Sequence, residues 1–200
     1  MSCLIILSLA LAISSVFGQL PVPCTSPPQW EARVYFYDSF QKDTVLARIT
    51  YDSVYKRERI IEEYRLGDQD DYYDVLYLHS QQIEYRFNFK TKECKKQAIT
   101  RPWRDFGVPS NATSYGESYV GSSAVANANV LITTWGKEFT DEKGNKIDYM
   151  GSWTLEGCLP IYSHYFSKAD NINTHTSFYD IVPGIDNPNV FIPRKECLTF

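Results

Sequence analysis

Three histidines, His79, His164 and His175, are all that 200 residues offer for proton transfer near neutral pH or for imidazole ligation of a metal. None lies in an HExxH pattern, and none has a second histidine at metal-ligand spacing. The serine with the most suggestive surroundings, in Gly116-Glu117-Ser118-Tyr119-Val120-Gly121, has the wrong glycine spacing for a nucleophile elbow. No P-loop and no GxGxxG motif is present. Asp and Glu together number 24, but a glycosidase pair is defined by separation in space, which spacing along the chain does not supply. These observations point away from an enzyme.

Cysteine carries the clearest chemistry. The chain opens MSCLIILSLALAISSVFG, an uncharged apolar run ending in small residues, with Val16 and Gly18 placed for cleavage before Gln19. We read residues 1–18 as a secretory signal peptide and residues 19–200 as the mature protein. The competing reading, a membrane anchor, is disfavoured because the run barely reaches bilayer length and lacks a following basic flank. Cys3 leaves with the signal, so Cys24, Cys94, Cys158 and Cys197 remain. An even, widely spaced set in an oxidising compartment predicts two disulfides, with three connectivities open. The alternative, a zinc site, would want a CxxC pair and a nearby histidine. Oxidised cysteines are not nucleophiles.

Two further features bear on surface chemistry. Asn111-Ala112-Thr113 is an N-glycosylation sequon, and Pro109, Ser110 and Ser114 around it predict an exposed loop. Calcium is the other. Asp68, Asp70, Asp71 and Asp74 in GDQDDYYD lack the EF-hand glycine and closing glutamate, so they read as a solvated acidic turn. Asp180 and Asp186 lie among turn residues whose carbonyls would complete a hard oxygen site, and they are the candidate ligands for a structural calcium ion.

The elements that must position these residues read as strands. EARVYFYD alternates Ala32, Val34 and Phe36 against Arg33, Tyr35 and Tyr37, and TVLARITYD places Val45, Ala47, Ile49 and Tyr51 on one face. RERIIEEYRL, YYDVLYLH and QQIEYRFNFK follow, the last with Ile83, Tyr85, Phe87 and Phe89 on one side. A turn over residues 141–146 separates VLITTWGKEF from KIDYMGSWTLEGC. SYGESYVGSSAVANAN stands apart as small and polar, ITRPWRDFGVPSNATSYG leading into it reads as loop, and residues 160–178 have room for one short helix. Connections this short predict an antiparallel meander in one β-dominated domain. No later stretch is apolar enough to span a bilayer, and a net charge of −4 without a basic stripe argues against nucleic-acid binding. The strand at 72–78 is apolar on both faces, which suits either a central strand packed on both sides or a sheet with one face lining a cavity.

Three stretches together, PCTSPPQWEARVYFYD at 23–38, YGESYVG at 115–121 and FYDIVPGIDNPNVFIPRKEC at 178–197, resemble the ependymin-related proteins, in particular those of vertebrates. The likeness spans the mature chain and includes all four remaining cysteines. It implies secreted or lysosomal-lumen glycoproteins that bind hydrophobic molecules, form homodimers and associate with calcium. It also implies two stacked antiparallel sheets with little helix, curved around a deep apolar pocket, similar to bacterial lipoprotein carriers. Some members have a further cysteine pair that this chain lacks. The family pattern implies Cys24 with Cys158 and Cys94 with Cys197. The second bridge would turn the proline-spaced tail (Pro183, Pro188, Pro193) into a strap over a sheet edge or pocket wall.

The expected function is non-catalytic binding of a lipid or other fatty-acyl molecule. Candidate lining residues are Phe36, Tyr85, Phe87, Val130, Ile132, Trp135, Tyr149 and Trp153, with Trp30 and Trp103 framing an opening. The alternative is a calcium-associated matrix or adhesion glycoprotein that acts through its surface.

Overall fold

The computed structural model describes residues 21–66, 71–99, 102–141 and 143–198. The expected signal peptide lies outside these residues, as do Asp68 and Asp70 of the acidic turn. Eleven strands follow in order: β1 (Gln29–Asp38), β2 (Asp43–Asp52), β3 (Arg57–Leu66), β4 (Tyr73–Leu78), β5 (Ile83–Asn88), β6 (Cys94–Ala98), β7 (Thr113–Gly121), β8 (Asn129–Thr140), β9 (Lys146–Thr154), β10 (Pro160–Ser167) and β11 (Ile172–Pro183). They form one antiparallel ladder in the order β6-β5-β4-β3-β2-β1-β11-β10-β9-β8-β7. Among the described residues, helix is confined to three short 3-10 turns. The chain is therefore mostly β, antiparallel and poor in helix, as expected. Hydrogen bonding runs unbroken, so the layers anticipated as two sheets are parts of one ladder.

The period-of-two pattern places the core. Val45, Ala47, Ile49 and Tyr51 of β2 are all buried, together with Ala32 and Val34 of β1, Phe178 of β11 and Trp30. β4 proves to be a strand packed on both sides. Val75 faces one way and Leu76 the other, and both are buried.

Two local expectations are corrected. Residues 160–178 hold no helix. Tyr162, Ser163, His164 and Tyr165 of β10 pair with Ser177, Thr176, His175 and Thr174 of β11. Aromatic residues in both segments favour strand, and Asn171, at φ 54, makes the left-handed step of the turn between them. The first half of the small, polar stretch is also strand: β7 pairs with β8 as an exposed sheet edge. Its pattern is weak because an edge strand with little buried area needs few apolar residues.

The C-terminal tail answers to the strap expected of it. Disulfides join Cys24 to Cys158 and Cys94 to Cys197, the pairing that the family likeness implies. Phe191 and Cys197 are buried against Leu76, Tyr85 and Phe87 of β4 and β5. Register fixes which face this is. Arg59 pairs with Leu76, and Leu76 with Tyr85, whereas the neighbouring Glu58 pairs with Tyr51 of the opposite face. Beneath the strap, the Arg59 guanidinium grips both Asp74 oxygens at 2.7 and 2.6 Å. It also donates to the carbonyls of Val190 and Ile192.

Candidate functional site

The connection from β6 to β7 must travel from one edge of the sheet to the other. Residues 102–110 do so by lying across the face that carries Tyr51, and aromatic side chains fix them there. Trp103 stacks on Tyr51 with centroids 5.4 Å apart and planes within 10°. Phe106 meets Trp30 and Tyr51 edge-on, both at 5.0 Å, then Phe178 at 5.9 Å and Trp153 at 6.5 Å. Strands β1, β2, β9 and β11 thus converge on one phenyl ring. Backbone bonds complete the anchorage. Ser26 N–H donates to Phe106 O at 3.1 Å, Val108 N–H donates to Cys24 O at 2.9 Å, and Phe106 N–H donates to Tyr51 Oη at 3.1 Å. The Cys24–Cys158 bridge ties this N-terminal segment to the β9–β10 turn.

Between the crossing segment and β8–β11 lies a cleft of about 780 Å³. That is ample for a drug-sized or single-chain lipid ligand. Its apolar wall is built from aromatic side chains, Tyr51, Trp103 and Phe106 at one end and Phe139, Tyr149, Trp153 and Tyr165 at the other, with polar residues such as Thr25, Glu58, Asp105 and Ser163 between and around them. Alternation along β9 points Tyr149, Gly151 and Trp153 to the cleft side. Gly151 leaves the gap that Tyr149 fills, since a Cβ there would sit 1.9 Å from Tyr149 Oη. Trp153 Nε1 donates to that hydroxyl at 3.3 Å.

Burial, the largest cause in each case, raises the pKa of Tyr51, Tyr149 and Tyr165 above the ordinary phenol value, so all three remain neutral hydrogen-bond donors. Acidic groups gather at the Tyr51 end. Asp105 accepts from Trp103 Nε1 at 2.8 Å and from Tyr51 Oη at 3.4 Å, and Glu58 lines the wall nearby.

The eight candidate lining residues fall in several places. Tyr149 and Trp153 line the cleft. Trp135 is buried beside Trp153, with its Nε1 donating to Thr133 Oγ1 at 2.9 Å, and Ile132 is buried on β8. Phe36 packs against the β1–β2 core. Tyr85 and Phe87 lie on the opposite face under the tail, where Tyr85 borders a smaller hollow of about 390 Å³. Val130 is 47 % exposed near the β7–β8 tip. Trp103 lines the cleft, whereas Trp30 is wholly buried beneath it. Phe106, Phe139, Tyr165 and Phe178 are cleft residues that strand-by-strand reading missed. The available signal was Trp103, Phe106 and Val108, three apolar residues in a stretch that otherwise reads as loop.

The other named positions are placed as follows. Asn111 is exposed in a left-handed turn, φ 60. Asp180 occupies a bulge of β11, φ 52, where the register with β1 slips, and both it and Asp186 are exposed. Asp74 is spent on Arg59, and Asp71 on Asn88 and Lys90. Among the described residues, no three His, Cys, Asp or Glu side chains cluster as a metal site, and no helix is long and apolar enough to cross a membrane.

Comparison with known proteins agrees with this architecture. In crystal form, an uncharacterized conserved protein from Thermus thermophilus shares the fold at a TM-score of 0.52, with 7% identity, covering 86% of this chain and 88% of that one. Mammalian ependymin-related protein 1 of Rattus norvegicus is 25% identical over 180 residues, covering 90% of this chain and 78% of the relative. Ependymin of Notemigonus crysoleucas is 25% identical over 175 residues, covering 88% and 79% respectively. The Ependymin family model matches residues 67–197, so the chain belongs to the ependymin family.

Proposed function

We propose that the protein is a secreted, non-catalytic binder of hydrophobic small molecules, taking a fatty-acyl chain into the cleft beneath residues 102–110. The observation that carries this reading is the aromatic cleft itself, about 780 Å³ in size and braced by the Cys24–Cys158 bridge. Two disulfides suit an oxidising compartment, either the extracellular space or the lysosomal lumen. A hexadecanoyl chain with about 14 methylenes gains roughly 11 kcal/mol gross at ~0.8 kcal/mol each. Association costs several kcal/mol, which leaves binding in the micromolar range.

Native mass spectrometry of the secreted, oxidised protein, followed by organic extraction, tests the reading. A co-purifying acyl lipid, or stoichiometric uptake of added hexadecanoate by the delipidated protein, is the expected result. Failure of the oxidised protein to take up any acyl probe would overturn it.

A further inference from the structure

The chain has three histidines, and the ladder sets two of them side by side. His164 of β10 and His175 of β11 are direct cross-strand partners, with ring centroids 4.2 Å apart and planes within 12°. Each imidazole is held by a residue diagonally across the hairpin. His164 Nε2 donates to Asn173 Oδ1 at 2.9 Å, and His175 Nδ1 lies 2.6 Å from the Tyr162 hydroxyl. One nitrogen of each ring is thereby engaged and the other oriented. Both rings are half-buried. The same rung continues to Met150 on β9 and Tyr37 on β1, neither of them a carboxylate or a cation. Asp148, a carboxylate on this face, pairs with Phe166 on the next rung. Because Tyr149 and Trp153 of β9 point into the cleft, Met150 and the histidine pair stand on the other face of the sheet.

We infer that His164 and His175 form a binding site for a divalent late transition-metal ion, copper(II) before zinc(II), on the sheet face opposite the cleft. Two imidazoles supply borderline nitrogen donors, which suit both metals and hold copper(II) more tightly, and water completes the coordination. A ligating histidine characteristically donates its other ring N–H to an oxygen that fixes tautomer and orientation. Asn173 Oδ1 and the Tyr162 hydroxyl stand where that role requires them. The rings open from their stack by turning about χ2, a soft torsion in histidine, and so bring one nitrogen of each onto the ion. Calcium takes about six to eight oxygen ligands, which this rung does not supply. Nor do thiolates compete, since Cys24, Cys94, Cys158 and Cys197 are all in disulfides. Spacing along the chain hides the pair, because the register of the β10–β11 hairpin is what joins it.

The test titrates the untagged, oxidised, chelator-treated protein with copper(II), zinc(II) and calcium in a calorimeter. The expected result is a single saturable copper(II) site per chain, zinc(II) roughly tenfold weaker at the same site, and no competition from calcium. His164→Gln and His175→Gln should each weaken copper(II) about tenfold or more, with thermal unfolding reporting that the fold is kept. Tyr162→Phe keeps both ligands and removes the orienting hydroxyl, and should cost about tenfold, the low end for an outer-shell partner.

The native protein gives a second readout that needs no variant. Substoichiometric copper(II) should broaden the ring-proton NMR signals of His164 and His175 before those of His79, which is buried elsewhere. Copper(II) affinity unchanged in both histidine variants would overturn the site. Broadening that spares His164 and His175, or that reaches His79 equally early, would do the same. Zinc(II) binding as tightly as copper(II) would overturn the stated preference between the metals.

Discussion

Replacing Asp74 with alanine tests what holds the C-terminal strap. The Asp74 side chain is 2% exposed and that of Arg59 10%, and the guanidinium reaches both carboxylate oxygens. Arg194 adds a third contact to Asp74 at 3.2 Å while lying 4.3 Å over the Phe87 ring. The alanine variant leaves two guanidiniums facing one another with no anion between them. Breaking a buried pair by removing one partner costs about 3–5 kcal/mol. In a domain of this size each kcal/mol lowers Tm by roughly 2–4 °C, so the expected fall is roughly 6–20 °C.

The assay is equilibrium urea unfolding without reductant, so that Cys94–Cys197 stays closed and the loss is not that of the disulfide. The double variant Asp74→Ala/Arg59→Leu should recover part of the loss, because the buried unpaired charge is gone although the Val190 and Ile192 carbonyls lose a donor. A single-variant loss below about 1 kcal/mol, the range of a surface pair, would refute the claim that this pair is sealed beneath the tail.

Three further outcomes follow from the same geometry. Phe106→Ala removes a half-buried ring that four strands touch, and should cost about 2–3 kcal/mol in urea unfolding while weakening capture of an apolar probe. Gly151→Ala should displace Tyr149, break its bond to Trp153 and reduce probe affinity, read by titration alongside a thermal melt that shows the fold intact. His175 is held below the ordinary imidazole value by burial first and by the stacked His164 ring second, 4.2 Å away. Its folded state therefore favours the neutral form. The stability it contributes is present above about pH 6.5 and is lost as pH falls through the depressed folded value. An NMR midpoint for His175 above 6.5 would contradict this.

Much of the sheet was legible because half-buried strands write their faces into the chain. Val45, Ala47, Ile49 and Tyr51 alternate in the sequence and are buried together. The β7 edge and the β10–β11 hairpin were not legible. The first buries too little to need a pattern, and the second carries aromatic residues on both faces of β10. The cleft was half legible for a different reason. Tyr149 and Trp153 follow from alternation along β9, but the opposing wall belongs to a loop. Loop residues have no period, so Trp103 and Phe106 take their role from the path that joins the two sheet edges. Tyr85 and Phe87 show the complementary difficulty. Alternation grouped them correctly on one face, but the tail that covers that face is distant in sequence, bound through Cys94–Cys197.

The central claim is that an acyl chain lies in the cleft between residues 102–110 and the sheet. Tryptophan quenching by a bromine-labelled hexadecanoyl probe addresses it most directly. Of the four tryptophans, Trp103 and Trp153 line the cleft, while Trp30 and Trp135 are buried behind its walls. The account predicts saturable quenching that falls sharply in Trp103→Phe/Trp153→Phe, although the probe still binds by displacement. Quenching that persists unchanged in that variant would place the chain elsewhere and contradict the account.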